Sequence, residues 1–188
     1  MKPSEVFKIF RSSGALLDGH FVLRSGLHSR QFFQCALVLQ HAALAAKLCS
    51  ELAKKVNSSE IDTVISPVLG GIIVGQELAR VLDKRHIFAE KEDGKLVMRR
   101  GFSITRGERF LVAEDVVTQG GRVKETIDIV KGKGGIVAAI AVLVDRSTTE
   151  LKLGATLHSL VKMPVETFAS TEVPKDLKDI PAIKPGSK

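Results

Sequence analysis

The densest chemistry in this 188-residue chain lies in one stretch, Arg109-Phe-Leu-Val-Ala-Glu114-Asp115-Val116-Val117-Thr118-Gln119-Gly120-Gly121-Arg122. An apolar run meets two adjacent carboxylates. Two apolar residues, a hydroxyl and a pair of glycines follow. Open parallel sheets bind ligands beyond the carboxyl ends of their strands, where Glu114 and Asp115 fall if the run is a strand. Gly120 and Gly121 let the backbone approach a ligand closely and adopt positive φ. The N–H groups of a turn that opens a helix form an anion nest, reinforced by the helix dipole. One loop thus offers acids for hydroxyls or a metal beside a cradle for a phosphate, and a sugar phosphate satisfies both. The plain alternative is a strand–turn–helix corner with two idle acids, which wastes the burial of two carboxylates. A nucleoside triphosphatase loop is excluded, because Gly70 to Gly75 continues with Gln76-Glu77 and lacks the lysine. No Gly-x-Gly-x-x-Gly run marks a dinucleotide fold either.

Other residues could serve such a ligand. Arg146 follows the apolar run 136–144 and either pairs with Asp145 or awaits a planar anion. Phe32 and Phe33 are adjacent, so in a strand they face opposite ways and one of them packs inward. Between Arg80 and Arg109 stand nine cations and five acids, an uneven share of the chain's net charge of +7. Such a field attracts an anion, either nucleic acid or a small polyphosphate, or else is a solvated face. Cys35 and Cys49 lack metal or redox spacing and read as inert buried thiols.

These residues need elements to hold them. The spacing predicts a helix over 3–13, strands at 20–24 and 31–36, and a helix over 41–56. It then predicts a strand at 61–65, a helix at 70–82 and strands at 86–89 and 109–113. A helix at 121–130 and a strand at 136–144 complete the pattern. Strands alternating with helices imply an α/β fold with a parallel sheet wrapped by helices. The continuous apolar run at 136–144 fits a strand covered on both faces. Residues 1–38 depart from the alternation and read as an N-terminal helix and hood, 39–170 as the core. Residues 171–188, with Pro174, Pro181 and Pro185, read as an extended, poorly structured tail. No apolar run approaches the ~18 residues of a membrane span, and no secretory signal is visible, so the cytoplasm is the expected compartment.

The segment 112–122 resembles the 5-phosphoribosyl diphosphate (PRPP) motif of type I phosphoribosyltransferases. Within them the chain is similar to the orotate phosphoribosyltransferase family. Residues 14–29 followed by Phe32-Phe33 resemble that family's N-terminal hood. Pro67-Val-Leu-Gly70-Gly71-Ile72 resembles its diphosphate loop, Val142-Leu-Val-Asp145-Arg146 its orotate-carboxylate strand end, and Lys184-Pro-Gly-Ser187 the tail of one bacterial branch. The resemblance implies the type I phosphoribosyltransferase fold, a central parallel sheet flanked by helices with a small hood. It implies transfer of the phosphoribosyl group from PRPP to orotate, giving orotidine 5′-monophosphate and diphosphate in pyrimidine synthesis. Glu114 and Asp115 would hold the ribose hydroxyls. Val116, Val117, Thr118, Gln119, Gly120, Gly121 and Arg122 would hold the 5′-phosphate, and Gly70 and Gly71 the diphosphate. Thr118, Arg146, Phe33 (or Phe32) and Arg24 would meet orotate.

By the same resemblance, residues 88–95 are a mobile loop whose Lys91 and Lys95 cover the diphosphate, often from the partner in a homodimer. Mg2+ would be held mainly by PRPP itself, with no direct protein ligand. The chain departs from the family pattern in four places. It has no loop histidine, Gln119 and Arg122 replace small or hydroxylated residues, and the diphosphate loop lacks a lysine. Two rivals remain. One is a non-catalytic PRPP-sensing regulator that binds nucleic acid, against which stand the lack of a helix-turn-helix segment and of any Trp or Tyr. The other is a purine phosphoribosyltransferase, for which Arg146 has no carboxylate to hold.

Overall fold

The apolar run at 136–144 becomes β7 (Ile136–Asp145) in the computed structural model, which describes residues 1–23 and 25–185. It is an interior strand, buried from Ala139 onward. Its parallel neighbours are β6 (Arg109–Val117) and β8 (Thr156–Lys162). Beyond β6 lie the parallel strands β3 (Thr63–Pro67) and β4 (Arg85–Glu92), and β5 (Lys95–Met98) closes that edge antiparallel. The sheet order is β5-β4-β3-β6-β7-β8.

Alternating side chains divide the core into two layers. Val64, Leu111, Ala113, Ala141 and Leu143 pack with Leu48 and Leu52 of α3 (Ala42–Ala53) and with Val74 and Leu78 of α4 (Gly70–Leu82). On the other face Ile65, Val112, Ile140 and Val142 pack with Val123, Ile127 and Val130 of α5 (Gly121–Gly132). The N-terminal helix α1 (Pro3–Ser12) adds Val6 and Phe10 to the first layer. The chain then forms a second, three-stranded sheet from β1 (Leu16–Val22), β2 (His28–Phe33) and the short β9 (Thr167–Phe168). A one-turn helix, α2 (Ala36–Leu39), joins it to the core.

Several expectations change. β6 runs four residues past Ala113, because its pairing with β7 continues through Val116↔Val144 and Val117↔Asp145. The acids therefore lie within the strand and not beyond it. Residues 88–95 are not a loop. β4 extends to Glu92 and returns as β5 through Asp93-Gly94, both at positive φ (49° and 81°), with Glu92 opposite Lys95. Asp-Gly suits such a two-residue hairpin turn. β2 ends at Phe33, earlier than expected, because Ala36 already belongs to α2.

The tail is also ordered over its described part, 171–185. Pro174 caps a short helix, α6 (Lys175–Lys178), which buries Leu177. Ile183 bridges Phe21 of β1. Prolines here start a helix and set extended backbone instead of loosening the chain. β8 and β9 have no counterpart in the expected elements.

Candidate active site

Glu114 is 2% exposed although it is a carboxylic acid. Its Oε1 accepts the Asp115 N–H at 3.1 Å, and its Oε2 has no partner among the described residues. Burial first, then the neighbouring Asp115, pushes its pKa up to about 9. Two adjacent carboxylates with so little water cannot both ionise readily, so Glu114 holds its proton at neutral pH. Asp115 accepts the Val116 N–H at 2.8 Å. Behind the acids α4 begins with two glycines. A Cβ on Gly70 would overlap the Asp115 carboxylate, and one on Gly71 would stand 3.0 Å from Glu114 Oε1. Glycine here is a requirement of close approach. The preceding Leu69 is 79% exposed.

The turn after β6 leads into α5 through Gly120, at φ 78° and ψ 8°. That left-handed conformation favours glycine, and a Cβ there would stand 3.2 Å from Leu153. The first-turn amides of α5 have no intrahelical acceptors. That turn holds no acid, yet Arg122 and Lys124 stand in it. Cations at the positive end of a helix oppose the dipole unless an anion lies between them. Neither makes an ion pair among the described residues.

Arg146 follows β7, and its backbone N–H donates to Val117 O at 2.8 Å. Its Nε is buried without a partner among the described residues, and burial lowers the pKa of the guanidinium. Asp145 does not pair with it. That carboxylate accepts the Ser147 N–H at 2.9 Å and faces Lys162 Nζ at 3.8 Å. Arg146 joins residues 33–35 and 114–124 around a cavity of about 670 Å³. Among the described residues two buried side-chain N or O atoms lack partners, Glu114 Oε2 and Arg146 Nε. Both residues line this cavity.

The cavity thus gathers Glu114, Asp115, Val116, Val117, Thr118, Gln119, Gly120, Gly121, Arg122, Arg146 and Phe33, with Gly70 and Gly71 packed directly behind the acids. Phe33 also packs inward, edge-on to Phe10 at 5.0 Å, whereas Phe32 packs near Phe21 at 5.8 Å. Arg24 lies outside the described residues. Lys91 and Lys95 are not brought to this cavity. They sit on the β4–β5 hairpin, where Lys95 borders α5 residues Glu125 and Asp128.

Much of the basic segment is neutralised locally. Arg80 pairs with Glu77, Arg85 with Glu108, Arg99 with Glu92, Arg100 with Glu90 and Arg109 with Asp62. Sequence reasoning missed Gln34, Cys35, Val123 and Lys124 as cavity residues. For Lys124 a signal existed, a second cation in a helix's first turn. Gln34 and Cys35 carry none, because only the turn from β2 into α2 places them there. Burial pushes the Cys35 thiol well up, and it is a free cysteine.

The phosphoribosyl transferase domain profile matches residues 38–175. The orotate phosphoribosyltransferase of Desulforamulus reducens is 47% identical over 188 residues, all of this chain and 98% of that one. The orotate phosphoribosyltransferase of Pelotomaculum thermopropionicum is 48% identical over 188 residues, all of this chain and 99% of that one. The crystal structure of orotate phosphoribosyltransferase from Aeropyrum pernix superposes with a TM-score of 0.64 at 26% identity, covering 83% of this chain and 92% of that one. A match over more than half the chain, joined to full-length identity near one residue in two, leaves one conclusion. The chain belongs to the phosphoribosyltransferase family, within its orotate phosphoribosyltransferase branch.

Proposed function

We infer that the protein transfers the 5-phosphoribosyl group of PRPP to orotate, forming orotidine 5′-monophosphate and diphosphate in the de novo synthesis of UMP. The observation that carries this reading is the pair of unsatisfied buried atoms on one cavity, Glu114 Oε2 and Arg146 Nε. A half-buried guanidinium whose buried Nε lacks a partner calls for a carboxylate, which orotate has and purine bases lack. A buried protonated carboxyl calls for hydroxyl partners, which ribose supplies.

In this reading the 5′-phosphate sits on the amides of 118–122, between Arg122 and Lys124. Glu114 and Asp115 grip the ribose hydroxyls. Arg146 holds the orotate carboxylate, with Phe33 and Thr118 beside the ring. The orotate N1–C1′ bond forms as the C1′–O bond to diphosphate breaks. Positive charge develops on the ribose, and the Asp115 carboxylate beside it stabilises that charge without moving. Arg146 and the phosphate cradle hold N1 in line with the leaving oxygen, which removes much of the entropic barrier.

The donor set suits magnesium that arrives on the substrate. Among the described residues no group of three or more His, Cys, Asp or Glu side chains converges to cage a metal. Any cation near Asp115 would take most of its oxygen shell from PRPP and water. Bound so, it would neutralise the leaving diphosphate. Lys91 and Lys95 do not meet the chain's own cavity, and this fits a homodimer in which each subunit's hairpin serves its partner. Among the described residues no helix is long and apolar enough to cross a membrane. We place the enzyme in the cytoplasm, where the buried thiols Cys35 and Cys49 stay reduced.

The test is loss of orotate absorbance with purified protein. Loss that requires both PRPP and magnesium, and fails in Asp115→Asn, is the expected result. PRPP binding without turnover of orotate would overturn the reading in favour of a sensor.

A further inference from the structure

The two sides of the cavity rest on unequal supports. The acids, the phosphate cradle and Arg146 stand on β6, α5 and β7, of which β6 and β7 are interior strands of a six-stranded sheet. Residues 33–35 come off the end of β2, in a small sheet where β2 has one full-length neighbour, β1. A two-stranded ribbon is at best marginally stable in water. Its third strand pairs through two positions only, His28↔Phe168 and Ser29↔Thr167.

Leu16 and Phe33 anchor the near end of the ribbon in the core, and residues 166–183 hold the rest of it. Ser29 Oγ donates to Glu166 O at 3.1 Å. Arg30 pairs with both Glu166 and Asp176, and its guanidinium lies 5.5 Å above the Phe168 ring. On β1, Val22 N–H donates to Ile183 O at 2.8 Å and Ile183 N–H to His20 O at 2.9 Å. His20 Nδ1 donates to Ile180 O at 2.8 Å. Leu177, 3% exposed, closes a cavity of about 430 Å³ walled by Gly19, Ser29, Gln31 and Val165. The segment crosses both strands of the ribbon, yet it lines no part of the active-site cavity.

We propose that residues 166–183 are a positioning strap that orders β2 and so sets Phe33, Gln34 and Cys35 at the base-binding half of the active site. The strap acts through the ribbon and touches neither substrate. This rests on the functional reading above, since it assigns the ribbon side to orotate and the β6–α5 side to PRPP.

The test is steady-state kinetics and amide hydrogen exchange on the full-length Leu177→Ser/Ile183→Pro double variant, beside the conservative Leu177→Met and Ile183→Val. Proline at 183 removes the N–H that His20 O accepts. The KM for orotate is expected to rise about tenfold while the KM for PRPP stays within about twofold, the signature of a disturbance confined to one substrate's half-site. Exchange across residues 16–33 should quicken, and the conservative variants should behave as wild type. Equal effects on both KM values, or an unchanged orotate KM, overturn the strap. Should the double variant fail to fold, Asp176→Ala carries the test, with a smaller rise in orotate KM expected and none overturning the proposal. A wild-type protein that consumes no orotate overturns the functional reading and the strap's role with it. An active wild type whose variants keep their orotate KM overturns the strap alone.

Discussion

Arg146 and Glu114 each bury an atom that nothing among the described residues satisfies, and they respond oppositely to burial. The guanidinium stays charged there because its intrinsic pKa is far above neutrality, whereas the carboxyl answers by keeping its proton. Arg146→Ala is expected to lower kcat/KM for orotate by about 10²–10³-fold, the usual loss when one partner of a buried charge contact goes. PRPP binding, read by calorimetry, should be nearly unchanged. Glu114 ties stability to pH. Its folded pKa of about 9 lies above the ordinary 4.5, so between those values the native state keeps a proton that the unfolded chain has lost. Its contribution is therefore full below about pH 4.5 and is lost as pH rises through about 9. Glutamine cannot ionise, so the melting temperature of Glu114→Gln relative to wild type should climb with pH across that window, while activity falls. Equal pH slopes would show that Glu114 is already ionised in the native protein.

Residue chemistry was legible where type and spacing coincide. Two acids after an apolar run and a glycine pair before a helix are visible without a structure. That Arg146 shuns Asp145 is not, because only the direction of the chain after β7 decides it.

At the scale of elements, α4 is set against β6 by close contact at Gly70 and Gly71. Gly70→Ala adds a methyl that must displace the Asp115 carboxylate. Alanine suits a helix better than glycine, so the variant is expected to melt no lower than wild type while kcat falls at least about tenfold. Circular dichroism melts beside kinetics would show whether activity and stability part in this way. The long parallel strands and α4 followed from the sequence because apolar runs and glycines bound them. The β4–β5 hairpin did not, although Asp93-Gly94 is itself a turn signal, because the family resemblance assigns residues 88–95 to a loop. β8 was missed because His158, Ser159 and its terminal Thr156 and Lys162 interrupt the apolar pattern of a strand that has one ladder partner. The tail escaped for another reason. Its order comes from partners some 160 residues away, as for His20 and Ile180, and local sequence does not report them.

For the molecule as a whole, the proposed dimer, in which Lys91 and Lys95 serve the partner's cavity, predicts complementation between subunits. Mixing inactive Asp115→Asn with an equal amount of an inactive Lys91→Ala/Lys95→Ala protein should restore the mixture to at most about a quarter of wild-type activity, because about half of the dimers are hybrids and one of the two sites in each hybrid is intact. No recovery after exchange of subunits, followed by mass spectrometry of the hybrid, would show that the hairpin serves no partner. The net charge of +7 plays a lesser part than composition suggests, since the local ion pairs consume much of the basic segment.

The tight seam at Gly70, Gly71 and Gly75 bears on how such a protein can change over generations. At Gly75 an added methyl would collide with Ser66 Oγ and crowd His86. A side chain added along that seam disturbs the acids or the strands beneath them, so the side proposed to hold the sugar phosphate has few viable neighbours in sequence space. The ribbon that carries Phe33 is thinner, and substitutions there leave the acids in place. If the ribbon holds the acceptor base as proposed, a lineage or a designer seeking a new one would find its open paths in residues 28–35, with the donor chemistry inherited intact.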